Sequence, residues 1–407
     1  MSLLFVDGMD GYNSLAKAIQ KAWFYGNGGG TPTYSATTGK FGGGGLTLPG
    51  VSGSGNSTWL GSTPILSGAL TNEVRIAGYF KTSSTMATNS TGFLVAVSTA
   101  GTATGGTLVN FISGGKIAAY AATSTFPSGL TPIGTTTLSY NDGAFHWIEV
   151  RYKFHASAGI CQVYIDGVQV INFSGRTLDA TNPLSAPGQF FIGSAIGTGA
   201  TSVVWDDVIA WDDQGSTFNA FPIGAQRVFT QLTNGVGNVT GYTPNTGANW
   251  NNVNRKQWVQ SGATFYVSAT AAASDSYTLA ASGAAAAGYS SAACLALVGT
   301  YNQIYTGTGT TNTVTGTCRS GSTTASGPAV IAATSGSFAP MQNVTALNPN
   351  GSIAWTQTTI DAAQIGQTAN ASFPSGGTQF ISDVIAESIF TVPVAASASR
   401  PQICICT

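Results

Sequence analysis

The 407-residue chain has 7% charged residues, 43% apolar residues and 53 glycines, and its formal net charge is −1. Soluble domains carry roughly 25% charged residues, so neutral polar residues and glycine must cover this surface, and much of it is expected to be covered by neighbours in an assembly. The 14 basic residues form no stripe, which excludes phosphate-driven nucleic-acid binding, and no run approaches the length of a membrane span.

The length suffices for two or three domains with their own cores. The opening MSLLFVDGMD lacks the cationic start and long apolar run of a signal peptide, so a soluble chain made in a cytoplasm is expected. One helix follows. In YNSLAKAIQKAWFYGNGGG, Leu15, Ala18, Ile19, Ala22 and Trp23 recur at helical spacing, with Asn13 or Ser14 as cap and Gly26 as the stop.

The remainder reads as β. FHWIEVRYKF alternates, placing His146, Ile148, Val150, Tyr152 and Phe154 on one face. Trp147, Glu149, Arg151 and Lys153 take the other, which reads as solvated, with Glu149 in a surface ion pair. ICQVYIDGVQVINF is a hairpin around Asp166-Gly167, a pair suited to a type I′ turn. A two-residue turn sets Ile165 opposite Val168, Val163 opposite Val170 and Cys161 opposite Asn172, making Cys161 a buried core thiol. From about Ala225 onward, short strands such as ASDSYTL, CLALVGTYNQ and FISDVIAESIFTVPV alternate with Gly, Ser and Thr loops, and WTQTTIDAAQIG holds a short helical turn. The segments SGAAAAG and TGTGTTNTVTGT read as loops and hairpin tips.

Four segments, taken in order, resemble a family of tailed-bacteriophage virion proteins of the tail type. They are LLFVDGMDGYNSLAKAIQKAW, the FHWIEVRYKF strand with its Y-x-D-G hairpin, VVWDDVIAWDDQGSTFNAFPIGAQRV, and TGANWNNVNRKQW with LNPNGSIAWTQTTIDAAQIG. That family pairs an N-terminal concanavalin A-like, laminin-G-like jelly roll with a second β domain. Its usual acidic residues in the linker and second domain are Asn, Gln and Ala here.

Such jelly rolls also host glycosidases, which generally need two carboxylates about 5–9.5 Å apart. This chain has only Glu73, Glu149 and Glu387, none starting an E-x-D-x-x-E strand, and its two histidines, His146 and His155, suggest no hydrolytic triad. No phosphate loop is present. In VWDDVIAWDD (204–213), alternation puts Trp205, Asp207, Ile209 and Trp211 on one side, with Asp206, Val208 and Ala210 on the other. One strand cannot aim all four carboxylates at one ion. Asp207, Asp212 and Asp213 are therefore only weak calcium candidates, and the stretch reads as the closing strand and hinge of the first sandwich. Trp59, Trp147 and Trp211 are the candidates for stacking on a sugar. Five cysteines are too dispersed for a zinc site and are expected to be reduced at synthesis. Cys294 and Cys318 could face each other across a hairpin, and the tail pair Cys404 and Cys406 could form inter-chain disulfides.

The expected fold is all-β: two tandem β-sandwich, jelly-roll-like domains with one short N-terminal helix. Residues 1–220 form the concanavalin A-like domain, 221–394 a second β domain for virion assembly and 395–407 a tail. The resemblance implies a non-enzymatic structural protein of the virion, tail or tail-fibre associated, without a cofactor. Its partners are other virion proteins and copies of itself, with a host glycan as a further partner and neither nucleic acid nor membrane. The alternatives are a host-surface carbohydrate-binding adhesin, or a head or collar decoration protein.

Overall fold

The computed structural model describes residues 3–21, 23–26, 30–50, 59–62, 73–82, 94–98, 106–122, 130–177, 187–193, 202–214, 219–254, 264–270, 272–307, 313–331, 338–369 and 377–393. Strands dominate them, arranged in three sheets, as the short apolar runs between Gly, Ser and Thr loops predict.

Residues before 212 supply the first two sheets. The eight-stranded sheet runs in the order Val168–Gly175, Gly159–Ile165, Phe145–Lys153, Glu73–Thr82, Val203–Trp211, Gly45–Leu48, Thr33–Ser35, with Leu3–Asp7 also paired to Val203–Trp211. The seven-stranded sheet runs Leu130–Thr135, Lys116–Ala122, Gly106–Ile112, Leu94–Ser98, Pro187–Gly193, Trp59–Ser62, Trp23–Gly26. Between them Phe5, Ile76, Phe80, Ile148, Val150 and Tyr152 meet Val109, Phe111, Ile117, Phe190 and Ile192 in one buried core. The inner face of FHWIEVRYKF is thus the predicted one. Residues 226–391 form a ten-stranded sheet. Its strand Gln226–Thr240 pairs first with Thr378–Thr391 and then with Ala273–Leu279, so the sheet bends around a second core that includes Tyr277, Tyr301 and Val384. The fold is two β-sandwich units in tandem.

The helix spans Leu15–Lys21 and stops earlier than Gly26. Trp23 has joined strand Trp23–Gly26, because its buried ring packs against Phe5 and Phe190. A short helix, Asn249–Val253, was not foreseen; Gln357–Asp361 was, and Thr356 caps it through a reciprocal bond with Thr359. Asp166 and Gly167 take φ of 51° and 80°, as a type I′ turn requires. Beyond the turn, a bulge between Val163 and Tyr164 shifts the hairpin by one residue. Val163 therefore faces Ile171 and Cys161 faces Phe173, while Val168 is 63% exposed and leaves the expected apolar face. In TGTGTTNTVTGT the second half is strand Thr313–Ser320 rather than a tip.

The largest departure concerns the outer face of the first sheet. Leu3, Val6, Ala77, Tyr79, Trp147, Ile209 and Trp211 are buried there against Val228, Ala296, Val298 and Ile389 of the following unit. The eight-stranded sheet is covered on both faces, so the face of Trp147 and Glu149 is not solvated. Each apolar side chain of the size of Ile209 or Val298 contributes about 1.5–3 kcal/mol when fully buried. Alternation alone could not reveal this, since an outer face carrying Trp and Glu looks amphipathic.

Candidate functional site

Three polar clusters lie along that seam. The first begins where strand Leu3–Asp7 ends. Asp7 Oδ1 accepts a bond from the Met9 amide (2.9 Å), and Oδ2 accepts from Trp23 Nε1 (2.6 Å) and from the Tyr12 hydroxyl. Lys21, the last helical residue, points its Nζ at Asp7 Oδ1 (3.3 Å) and at Glu387 Oε1 (2.7 Å) in the final strand of the second unit. All three charged side chains are 0% exposed. Gly8 donates its amide to Glu387 Oε1 (3.1 Å), and a Cβ at Gly8 would lie 2.8 Å from Val228 Cγ1, so only glycine admits this approach of the two units. Burial alone would lower the Lys21 amine; the charges of Asp7 and Glu387 outweigh it and raise its pKa. Burial raises Glu387 despite the opposing Lys21.

The second cluster is the VWDDVIAWDD strand. Asp207 has φ of 48°, and the pairing with Glu73–Thr82 shifts register between Asp206 and Ile209. This bulge lies where the strand's other edge changes partner, from Gly45–Leu48 to Leu3–Asp7. It also resets the alternation: Trp205, Val208 and Ala210 enter the inner core, while Ile209 and Trp211 enter the seam. Asp206 accepts from the amides of Lys40 (2.7 Å) and Asp207 (2.9 Å), and Asp207 accepts from the amide of Val228 (3.1 Å) across the seam. Burial, then the charge of Asp10, pushes the Asp206 carboxyl up to about 8. Burial and the Asp206 charge raise Asp207 further.

The third cluster holds the linker. Arg75 donates to the carbonyls of Asn219 and Ala220, and Trp211 Nε1 also donates to Ala220 (3.0 Å). Glu149 accepts from the amides of Ile223 (2.7 Å) and Gly224 (3.0 Å), and Phe221 packs between Tyr164 and Trp211. Glu149 is buried, and burial raises its pKa. The expected surface pair is corrected on both sides: Arg151 instead forms a two-pronged bond to the buried Glu73. A stretch expected to be a hinge is a docked strap.

The sugar-stacking candidates fare unequally. Trp147 is 1% exposed and Trp211 0%, so neither offers a ring face to a ligand. Trp59 begins strand Trp59–Ser62, but its side chain lies outside the described residues. Of the calcium candidates, Asp207 is in the seam, Asp212 accepts from the Gln214 amide in a turn, and Asp213 accepts from the Gln214 side chain. Among the described residues no three His, Cys, Asp or Glu converge as metal ligands. Cys161, Cys294 and Cys318 are buried free thiols; Cys294 lies opposite Phe390 and Trp355 and Cys318 opposite Ala325 and Ile365, so the two do not face each other across a hairpin, and Cys404 and Cys406 lie outside the described residues. His146 is held between Asp166 (2.7 Å) and Asp142 (3.1 Å), chiefly the Asp166 bond raising its pKa. His155 Nδ1 accepts from the amides of Ser157 (3.0 Å) and Ala158 (2.9 Å) and lies 3.3 Å from the Ser157 hydroxyl, contacts that close a turn. No described helix is long and apolar enough to cross a membrane.

No family model matches the chain, and no curated protein does. Among solved structures it is similar to the alginate lyase Aly36B (12% identity, 52% of this chain and 98% of that one, TM-score 0.33). A carbohydrate esterase from the Shiga toxin-encoding bacteriophage phi24B matches at 16% identity over 51% of this chain and 99% of its own (TM-score 0.34). The carbohydrate recognition domain of Emp46p matches at 11% identity over 51% and 95%, with TM-score 0.36. Likenesses this distant carry no argument about activity.

Proposed function

We propose that the chain is a non-enzymatic structural protein of a tailed-phage virion, with a first unit ending near residue 220 and a second built for assembly. The observation that supports this best is the seam. All three glutamates are buried, and each holds a structural contact: Glu73 on Arg75 and Arg151, Glu149 on the linker, Glu387 on Lys21. Their positions suit two sandwiches fastened to each other, and moving together, better than a cleft. Such rigidity is useful where a particle transmits force or sets spacing. The sparse charge of the chain fits burial against neighbouring subunits, copies of itself among them.

The test is location. Antibodies raised against the purified chain should decorate intact tailed particles at one fixed site and band with them through a density gradient. A protein found only in the soluble fraction of infected cells, never with particles, would refute the reading.

A further inference from the structure

The Lys21 amine lies between two carboxylates in a site closed to water. Nζ is 3.3 Å from Asp7 Oδ1 and 2.7 Å from Glu387 Oε1. Aromatic rings wall the site: Tyr12 beneath Nζ at 5.3 Å, then Trp23, with Phe5 against Trp23 at 5.0 Å. Asp7 Oδ2 takes two donors, the Trp23 indole and the Tyr12 hydroxyl, on the side away from the amine. Glu387 Oε2 makes no hydrogen bond among the described residues.

From this geometry we infer that Lys21 and Asp7 condense after folding into an intramolecular isopeptide bond between Nζ and Cγ, with Glu387 carrying the protons. Burial of three charges is costly, and an adjoining carboxylate can relieve it by taking a proton from the ammonium. Glu387 hands that proton to Asp7 Oδ1, and the neutral amine attacks Cγ of the resulting carboxylic acid, held in place at high effective concentration. Negative charge develops on Oδ2, where the Tyr12 and Trp23 donors already point. Oδ1 leaves as water, receiving one proton from Glu387 and the second, released by Nζ as the intermediate collapses, through the same carboxylate. Glu387 ends as it began, and the balance is ammonium plus carboxylate to amide plus water, with no other reactant. Asp7 is the acyl partner because it has the paired donors, while Glu387 keeps an oxygen open for proton transfer. The amide would tie the first strand to the helix and leave its N–H facing Glu387 across the seam.

The experiment is the intact mass of the full-length chain, unfolded and thiol-reduced, corrected for removal of the initiator methionine. The expected mass is lower than the sequence mass by one water, with Lys21→Arg at its full mass. Asp7→Asn should lose one ammonia instead, and Glu387→Gln should retain its full mass. Trypsin should release residues 1–17 and 18–40 as one branched peptide. An unmodified parent mass overturns the proposal. A water loss mapped to the C-terminal tryptic peptide beginning at Ser320 overturns the choice of Asp7, since the bond would then be to Glu387.

Discussion

Glu149→Ala tests whether the linker is strapped to the first sandwich. The carboxylate accepts two amides, Ile223 at 2.7 Å and Gly224 at 3.0 Å. Removing an acceptor costs about 1–3 kcal/mol for each donor left unsatisfied. Both donors are part-buried and can recruit water once the side chain is gone, which places each near the low end. The one lost methylene adds about 0.8 kcal/mol. Against this, the variant no longer buries a carboxylate whose pKa burial has raised. The balance is a loss of about 2 kcal/mol, with Glu149→Gln losing less because it keeps one acceptor and the packing. Guanidinium unfolding would measure it, and limited proteolysis would show cleavage within 219–224 in the Ala variant before the parent. A Glu149→Ala change within about 0.5 kcal/mol of the parent, the range of an inert surface substitution, with the linker still resistant, would refute the clamp.

Three further outcomes follow from the seam. The folded pKa of Asp206, about 8, exceeds its unfolded value near 3.9, so the folded state binds the extra proton and stability is lost as pH rises from about 4 towards 8. Asp206→Asn should flatten that slope in melting temperature, gaining on the parent at the alkaline end; an unchanged slope would contradict the assignment. Calcium or a chelator should leave the parent's melting unmoved, whereas a calcium-dependent rise lost in the Asp207→Asn, Asp213→Asn double variant would restore a cation to the strand. On a glycan array, any signal should survive Trp147→Phe and Trp211→Phe in folded protein and depend instead on Trp59; loss with either seam variant would contradict their burial.

Local chemistry was legible where one element decides the outcome. The Asp166-Gly167 turn, the inner face Ile148, Val150 and Tyr152, and the capped helical turn after Thr356 each follow from residues adjacent in sequence. Failures occurred where a remote partner decides. The bulge at Val163 and Tyr164 slips the hairpin by one residue, and the bulge at Asp206 and Asp207 undoes the strict alternation of 204–213; neither carries a glycine to mark it. Trp147 and Glu149 read as a solvated face because what covers them, the linker at Ile223 and Gly224 and the sheet that starts at Gln226, comes more than seventy residues later.

The candidate site was half visible for the same reason. The first segment of the resemblance, LLFVDGMDGYNSLAKAIQKAW, holds Asp7, Lys21 and Trp23, and these prove to be three corners of one buried cluster. Its fourth corner, Glu387, is 366 residues from Lys21 in sequence and no local pattern announces it. One signal was nevertheless available. In a chain where charge is this scarce, solubility does not explain the few acidic residues, because neutral polar groups already cover the surface. A carboxylate inside an apolar strand, such as Asp383 or Glu387 in FISDVIAESIFTVPV, then implies a buried partner, since an unpaired buried charge costs several kcal/mol. The cation carries no such mark: helical spacing puts Lys21 off the stripe of Leu15, Ala18, Ile19 and Ala22, beside Lys17, where a lysine reads as solvated.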